Sequence, residues 1–336
     1  MSSAAICGEP YLFHLWFSNG IVTAEVVNAE LQTTFAVRDY DLAATLTCGQ
    51  VFRWQARDRC WAGVIGTHCV RLREAPSSIT AETAEPVANW DWLTHYLQLH
   101  LDLSEVVRAF PDDEPMRAAV AACRGLRLLR QDPWECLASF ILSSTKQIVQ
   151  IRQIIARLCE RYGEPLAVAP GWPPAFRFPS PARLADASEA ELRRCKMGFR
   201  APYLLATARV IADGQFDLAR LQTLPVEAAR VELMKLPGVG RKVADCVLLF
   251  ACGFQSAFPV DVWVMKALRQ LYFLRRRVHL QRLHRFAATH FGPCAGYAQQ
   301  YLFHYIRTGR NPPPSLTGGS RRRQSAHSVR RQDGAD

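Results

Sequence analysis

The chain has 336 residues, 49% hydrophobic and 21% charged, with a mean hydropathy of −0.06. That length supports two or three compact domains with a sizeable core. No run approaches the roughly 18 apolar residues of a membrane helix, which excludes an α-helical membrane protein. A net charge of +11 and a pI near 9.3 point to a polyanionic partner. The eleven cysteines are odd in number and scattered, with no C-x-x-C, and the nine histidines show no ligand spacing. These patterns predict free thiols in a reducing compartment and no zinc site.

Residues 1–32 read as a weakly ordered extension. Its apolar patch Tyr11–Phe17 has no Lys or Arg before it and a His inside it, a poor signal peptide. Residues 33–110 read as an antiparallel β domain. Its strands are predicted over Val51–Gln55, Trp61–Gly66 and His68–Arg73, with Gly66-Thr67 turning between the last two and Gly49 as a turn glycine. Beyond Asn89 the periodicity turns helical and stays so to about Arg310, and residues 111–310 read as the helical region. Helices are predicted at Met116–Cys123, Pro133–Leu142, Gln147–Tyr162, Glu189–Lys196, Tyr203–Asp213, Val226–Leu236, Arg241–Cys252, Val262–Leu271, Leu280–Phe291 and Ala295–Arg307. Ser188 with Glu191 forms a capping box, and the proline-rich Pro165–Pro181 stretch is a loop. Residues 311–336, with five Arg and two Asp for a net +3, read as a disordered basic tail with loose attraction for phosphate.

The stretch L-P-G-V-G-R-K-V-A-D-C, Leu236–Cys246, joins two of these helices. Gly238 and Gly240 allow positive φ, and with Val239 they bring bare backbone to the surface, where the N–H groups opening the second helix suit a phosphate. Lys242 stands at the wrong end of the helix dipole and against Val243 and Ala244. Both effects favour its neutral, nucleophilic form. Cys246, four residues on, shares its face. Read alone, the lysine equally suits snorkelling to solvent or binding phosphate. Asp261, in F-P-V-D-V-W-V-M, is a natural N-cap, and a capped carboxylate is rigid enough to stabilise developing positive charge. Nineteen positions separate Lys242 from Asp261, enough for one helix and a return to its start.

Together these residues resemble the helix-hairpin-helix, Gly/Pro-rich-loop, Asp (HhH-GPD) superfamily of DNA base-excision glycosylases. The finer resemblance is to the 8-oxoguanine DNA glycosylase family. It is carried by C-G-Q-V-F-R-W (Cys48–Trp54), R-L-L-R-Q-D-P-W-E-C (Arg127–Cys136), P-G-V-G-R-K-V-A-D-C (Pro237–Cys246) and A-G-Y-A-Q-Q-Y-L-F (Ala295–Phe303). The resemblance implies an α+β protein: a TATA-binding-protein-like sheet, then two helical subdomains with a cleft between them. It implies a partner, double-stranded DNA containing 8-oxoguanine, flipped out of the stack, with the enzyme acting as a monomer. Lys242 is then the nucleophile at C1′ and Asp261 the carboxylate that stabilises the transition state, with β-elimination following the Schiff base. The backbone carbonyl of Gly49 would accept N7–H of the lesion, Gln299 would read its Watson–Crick edge, and Phe303 would stack on one face. Cys246 would cover the other face and ion-pair with Lys242. No cofactor is required, although a monovalent cation at the hairpin carbonyls is compatible with the resemblance. The location implied is the cytoplasm at the nucleoid, or the nucleus in a eukaryote.

The chain departs from the family on the opposite strand. Where the family has S-S-N-N-N-I-A-R, it has S-S-T-K-Q-I-V-Q (Ser143–Gln150): Thr145 replaces an asparagine and Gln150 the arginine that reads cytosine. Phe199 replaces the wedge tyrosine with Arg200 retained beside it, and Trp263 replaces a phosphate-contacting histidine. Without an arginine's bidentate fork at 150, the expectation is relaxed opposite-base preference. Two other readings use the same residues. A monofunctional alkylated-purine glycosylase has the aspartate but not the lysine, and a non-catalytic hairpin module needs neither.

Overall fold

A computed structural model describes residues 12–18, 21–27, 30–144, 146–274 and 278–309, the first two segments as backbone only. Within the expected extension, β1 (Leu12–Ser18) and β2 (Ile21–Val27) pair antiparallel. A five-stranded antiparallel sheet follows, built from β3 (Glu30–Ala36), β4 (Gln55–Arg57), β5 (Cys60–Ile65), β6 (His68–Ala75) and β7 (Ser78–Val87), in the order β3-β7-β6-β5-β4. Gly66, at φ 57°, makes the predicted turn between β5 and β6.

One strand expectation needs correcting. Of Val51–Gln55, only Gln55 joins the ladder. Val51, Phe52 and Trp54 are buried as an irregular segment after α1 (Leu42–Thr47), and Trp54 Nε1 donates to Tyr96 Oη at 2.9 Å. A short apolar run signals burial, and burial does not require a strand. The sheet's inner face presents Val70, Leu72, Ile79 and Ala81 to Leu42 and Leu46 of α1 and to Leu93 and Leu97 of α2 (Asp91–Leu97).

The rest is helical: α3 (Leu103–Arg108), α4 (Glu114–Ala122), α5 (Pro133–Ser143), α6 (Ile148–Tyr162), α7 (Pro181–Ala185), α8 (Glu189–Arg194), α9 (Ala201–Ala212), α10 (Val226–Leu233), α11 (Arg241–Val247), α12 (Val262–Leu271), α13 (Leu280–His290) and α14 (Ala295–Arg307). All but α3 and α7 fall on predicted helices, and the helix expected over Arg241–Cys252 is α-helical to Val247 and continues as a π-helical turn over Leu248–Cys252. Asp132 starts α5 by accepting from Glu135 N at 2.8 Å, and Ser188 with Glu191 caps α8 as expected. Two helices run through the core. α5 is buried from Cys136 to Leu142, and α14 is buried from Ala295 to Ile306. Burial of Gln299, Gln300 and His304 on α14 is unusual for polar residues, and such groups need partners. The α+β order places the sheet's turn residues beside α14.

Candidate active site

The hairpin between α10 and α11 is held from both ends. Leu236 and Val239 are buried, and Pro237 O accepts from Thr207 Oγ1 at 2.8 Å. Gly238 has φ 76°, and a Cβ there would come within 2.7 Å of Tyr203 Cβ, so glycine is required. Gly240 differs from expectation: its backbone is extended (φ −92°, ψ 177°), and it serves as the N-cap of α11. No heavy atom lies within 4 Å of a Cβ there, so its bareness opens the surface rather than relieving a clash. Beneath the hairpin, buried Arg230 on α10 donates to buried Asp245 on α11 at 2.5 Å, tying the helices together.

Two residues beyond that N-cap, α11 presents the half-buried Lys242. Its Nζ donates to Ser143 Oγ at 2.9 Å and lies 4.8 Å from the centroid of the Phe140 ring, both at the end of α5. Phe140 stacks on Phe250 and meets Phe52 edge-on. Asp261 caps α12 as expected, its Oδ1 accepting from Trp263 N at 2.9 Å and Val264 N at 2.8 Å. Burial pushes the Asp261 carboxyl above its ordinary range, opposed by the Val264 N–H and then by the Lys242 charge. Burial also pushes the Cys246 thiol up to about 12 despite that charge. The thiol therefore faces the site neutral, and the amine's hydrogen bond goes to Ser143 rather than into an ion pair with Cys246. The Lys242 charge acts on both Asp261 and Cys246.

A second cluster forms around Gly49, at φ 88°. A Cβ there would approach Ile148 Cδ1 at 3.0 Å and the Phe303 ring at 3.4 Å, so this turn lies against Phe303. Hydrogen bonds fix it on both sides. Gln300 Nε2 donates to Cys48 O at 2.9 Å. Gln50, wholly buried, donates from Nε2 to Thr45 O and Arg127 O and accepts at Oε1 from Leu129 N, while Gln131 Nε2 donates to Gln50 O. Arg307 donates to Thr47 O at 2.7 Å and its guanidinium lies 5.5 Å from the Phe303 centroid. Gln299 is 3% exposed, and its Oε1 has no hydrogen-bond partner among the described residues. A buried acceptor left open costs about 1–3 kcal/mol; a donor on a bound base would meet it. Phe52, three residues past Gly49, connects this cluster to the lysine through Phe140.

The opposite-strand residues are arranged differently. Thr145 lies outside the described residues. Gln150 is exposed and its Oε1 accepts from Gln147 N at 3.2 Å, closing a capping box on α6. Phe199 is 56% exposed, whereas Arg200 is 2% exposed, its guanidinium 4.2 Å from the Phe199 ring and its Nη1 donating to Met197 O. The surface shown there is phenylalanine, not arginine. Phe140, Ser143, Gln50, Gln300 and Arg307 shape the site without standing out as site residues in the sequence. Of these only the buried polar pattern of α14 carried a signal.

A helix–hairpin–helix followed by a capping aspartate, with a lysine amine whose charge reaches that aspartate and an aromatic pocket alongside, defines a DNA glycosylase of the HhH-GPD class. The family models agree. Residues 33–137 match the 8-oxoguanine DNA glycosylase N-terminal domain, and residues 138–288 match the HhH-GPD superfamily base excision DNA repair protein. The N-glycosylase/DNA lyase OGG1 of Arabidopsis thaliana is 33% identical over 78% of this chain and 76% of its own. A probable N-glycosylase/DNA lyase of Methanothermobacter thermautotrophicus is 32% identical over 64% of this chain and 74% of its own. Among solved structures, MBOgg1 with a low-affinity DNA ligand superposes with a TM-score of 0.80 at 29% identity, covering 90% of this chain and 100% of that one. The Clostridium acetobutylicum 8-oxoguanine glycosylase/lyase, bound to DNA with cytosine opposite 8-oxoG, gives 0.77 at 31% identity, covering 83% and 99%. The chain belongs to the 8-oxoguanine DNA glycosylase family.

Proposed function

We propose that this protein excises 8-oxoguanine from double-stranded DNA and nicks the resulting abasic strand. The carrying observation is the Lys242 amine, held by Ser143 and acting on the half-buried Asp261 that caps α12. The nucleotide must leave the stack to reach them. Lys242 Nζ, having lost a proton, attacks C1′, and the C1′–N9 bond breaks with its electrons on the departing base. Asp261 stabilises the positive charge developing on the sugar and takes part in deprotonating the amine. Ring opening gives the Schiff base, and loss of a C2′ proton expels the 3′ phosphate. A glycosylase that only hydrolyses the base would have no use for this amine.

In the pocket, the Gly49 carbonyl accepts the N7–H that 8-oxoguanine has and guanine lacks, Gln299 reads the base edge, and Phe303 and neutral Cys246 cover its faces. Hairpin residues Gly238, Val239 and Gly240 hold backbone phosphate; Gln150, Phe199 and, after moving outward, Arg200 meet the gap and the unpaired base. The chemistry needs no cofactor. The Leu236 and Pro237 carbonyls already accept from Val239 N and Thr207 Oγ1, so a monovalent cation there would share them. No helix among the described residues is long and apolar enough to cross a membrane, and the proposed location is wherever the genome is held. Single-turnover assays on duplexes carrying 8-oxoguanine, 3-methyladenine or no lesion test the reading. Excision and nicking confined to 8-oxoguanine are expected; release of 3-methyladenine without nicking would overturn it.

A further inference from the structure

A cavity of about 840 Å³ lies between β4–β6, the outer face of α6 and the Trp172–Phe176 stretch. None of Lys242, Asp261, Cys246, Gly49, Gln299 or Phe303 lines it. Its size is within the usual range for small-molecule sites, roughly 300–1,000 Å³. The walls combine rings with cations. Phe52, Trp172 and Phe176 supply aromatic surface, while Arg53, Arg57 and Arg152 face a single lining carboxylate, Glu160.

The three arginines are not equivalent. Arg53 is satisfied by Glu135 at 3.1 Å and by Phe176 O. Arg152 is half-buried, no ion pair includes it, and its buried Nε has no hydrogen-bond partner among the described residues. The charge of Arg307 adds to the cost of burying it. A guanidinium stays protonated in proteins, so a part-buried one without a partner favours an anion. Trp172, which lines the same cavity, is held in place: the Arg71 guanidinium lies 4.0 Å from its ring centroid and donates to Gly171 O at 2.5 Å.

We propose that this cavity binds a nucleotide, its planar base against Trp172 and Phe52 and its phosphate at Arg152. The nucleotide is either free in solution or part of a DNA strand, the second resting on the proposed function, in which Gln150 of the same helix meets the duplex. The test is independent of excision: calorimetric titration of dGMP into the full-length protein, with Arg152→Gln, Trp172→Ala and Gln299→Ala in parallel and melting temperatures checked for each. Saturable binding is expected, weakened about tenfold by either of the first two variants and unchanged by Gln299→Ala. Loss in Gln299→Ala with retention in Arg152→Gln would put the nucleotide in the lesion pocket and overturn the proposal, as would no saturable binding at low millimolar dGMP. If Arg152→Gln lowers the melting temperature, Trp172→Ala decides. Once binding is established, displacement of dGMP by undamaged duplex identifies a strand nucleotide, and its retention identifies a free one; either supports the site.

Discussion

The wall proposed to hold the lesion and the edge proposed to meet the opposite strand are built on different terms. Around Gly49, hydrogen bonds from Gln50, Gln131 and Gln300 join three parts of the chain before any DNA arrives. Around Gln150 and Phe199, side chains lie at the surface, and Arg200 is buried, so in the proposed role it would have to move outward. Recognition by a preorganised wall loses little to ordering, whereas recognition by an edge that must rearrange loses more and discriminates less. The difference argues for an enzyme strict about the damaged base and lenient about its partner.

The largest effect belongs to the chemistry common to both regions. Lys242→Gln should lower single-turnover excision by at least about 10³-fold whatever the opposite base. Asp261→Asn should cost about 10²–10³-fold, with little change in melting temperature because asparagine caps a helix as well. Burial raises the Asp261 carboxyl, so on acidification its anion is lost at a pH above the ordinary aspartate range. The wild-type rate should fall there, and that acid limb should vanish in Asp261→Asn.

On the lesion side, Gln50→Ala strands Leu129 N and should cost about 1–3 kcal/mol of stability, read as a lower denaturant midpoint. Gln299→Ala should reduce excision about tenfold; an unchanged rate would mean the pocket does not read that edge. The smallest effect is expected on the opposite strand. Excision opposite C, T, G and A should differ by only about threefold, and Gln150→Ala should alter it no more than that. A strong bias to cytosine would dissolve the contrast between the two regions.

The sequence was most legible where chemistry and local conformation coincide. L-P-G-V-G, Lys242, the Asp261 cap and the Ser188–Glu191 box all act within a few residues of themselves. Contacts formed at long range were not legible: Ser143 lies 99 residues from Lys242, and Gln50 lies 77 from Arg127. Helices α1, α2 and α3 have six or seven residues, too few for periodicity to distinguish them from loops. Gly240 looked like a positive-φ glycine because its motif neighbour is one, yet it caps α11 in extended form. Arg200 was expected at the DNA from its place beside Phe199; burial depends on packing that a motif does not encode.

Reductive trapping examines the central claim directly. The full-length enzyme is mixed with duplex containing one 8-oxoguanine, reduced with borohydride during turnover, and digested to locate the adduct. A covalent complex mapped to Lys242, and absent from Lys242→Gln, is the predicted result. An adduct persisting in that variant, or excision with no trappable adduct in the wild type, would contradict the account.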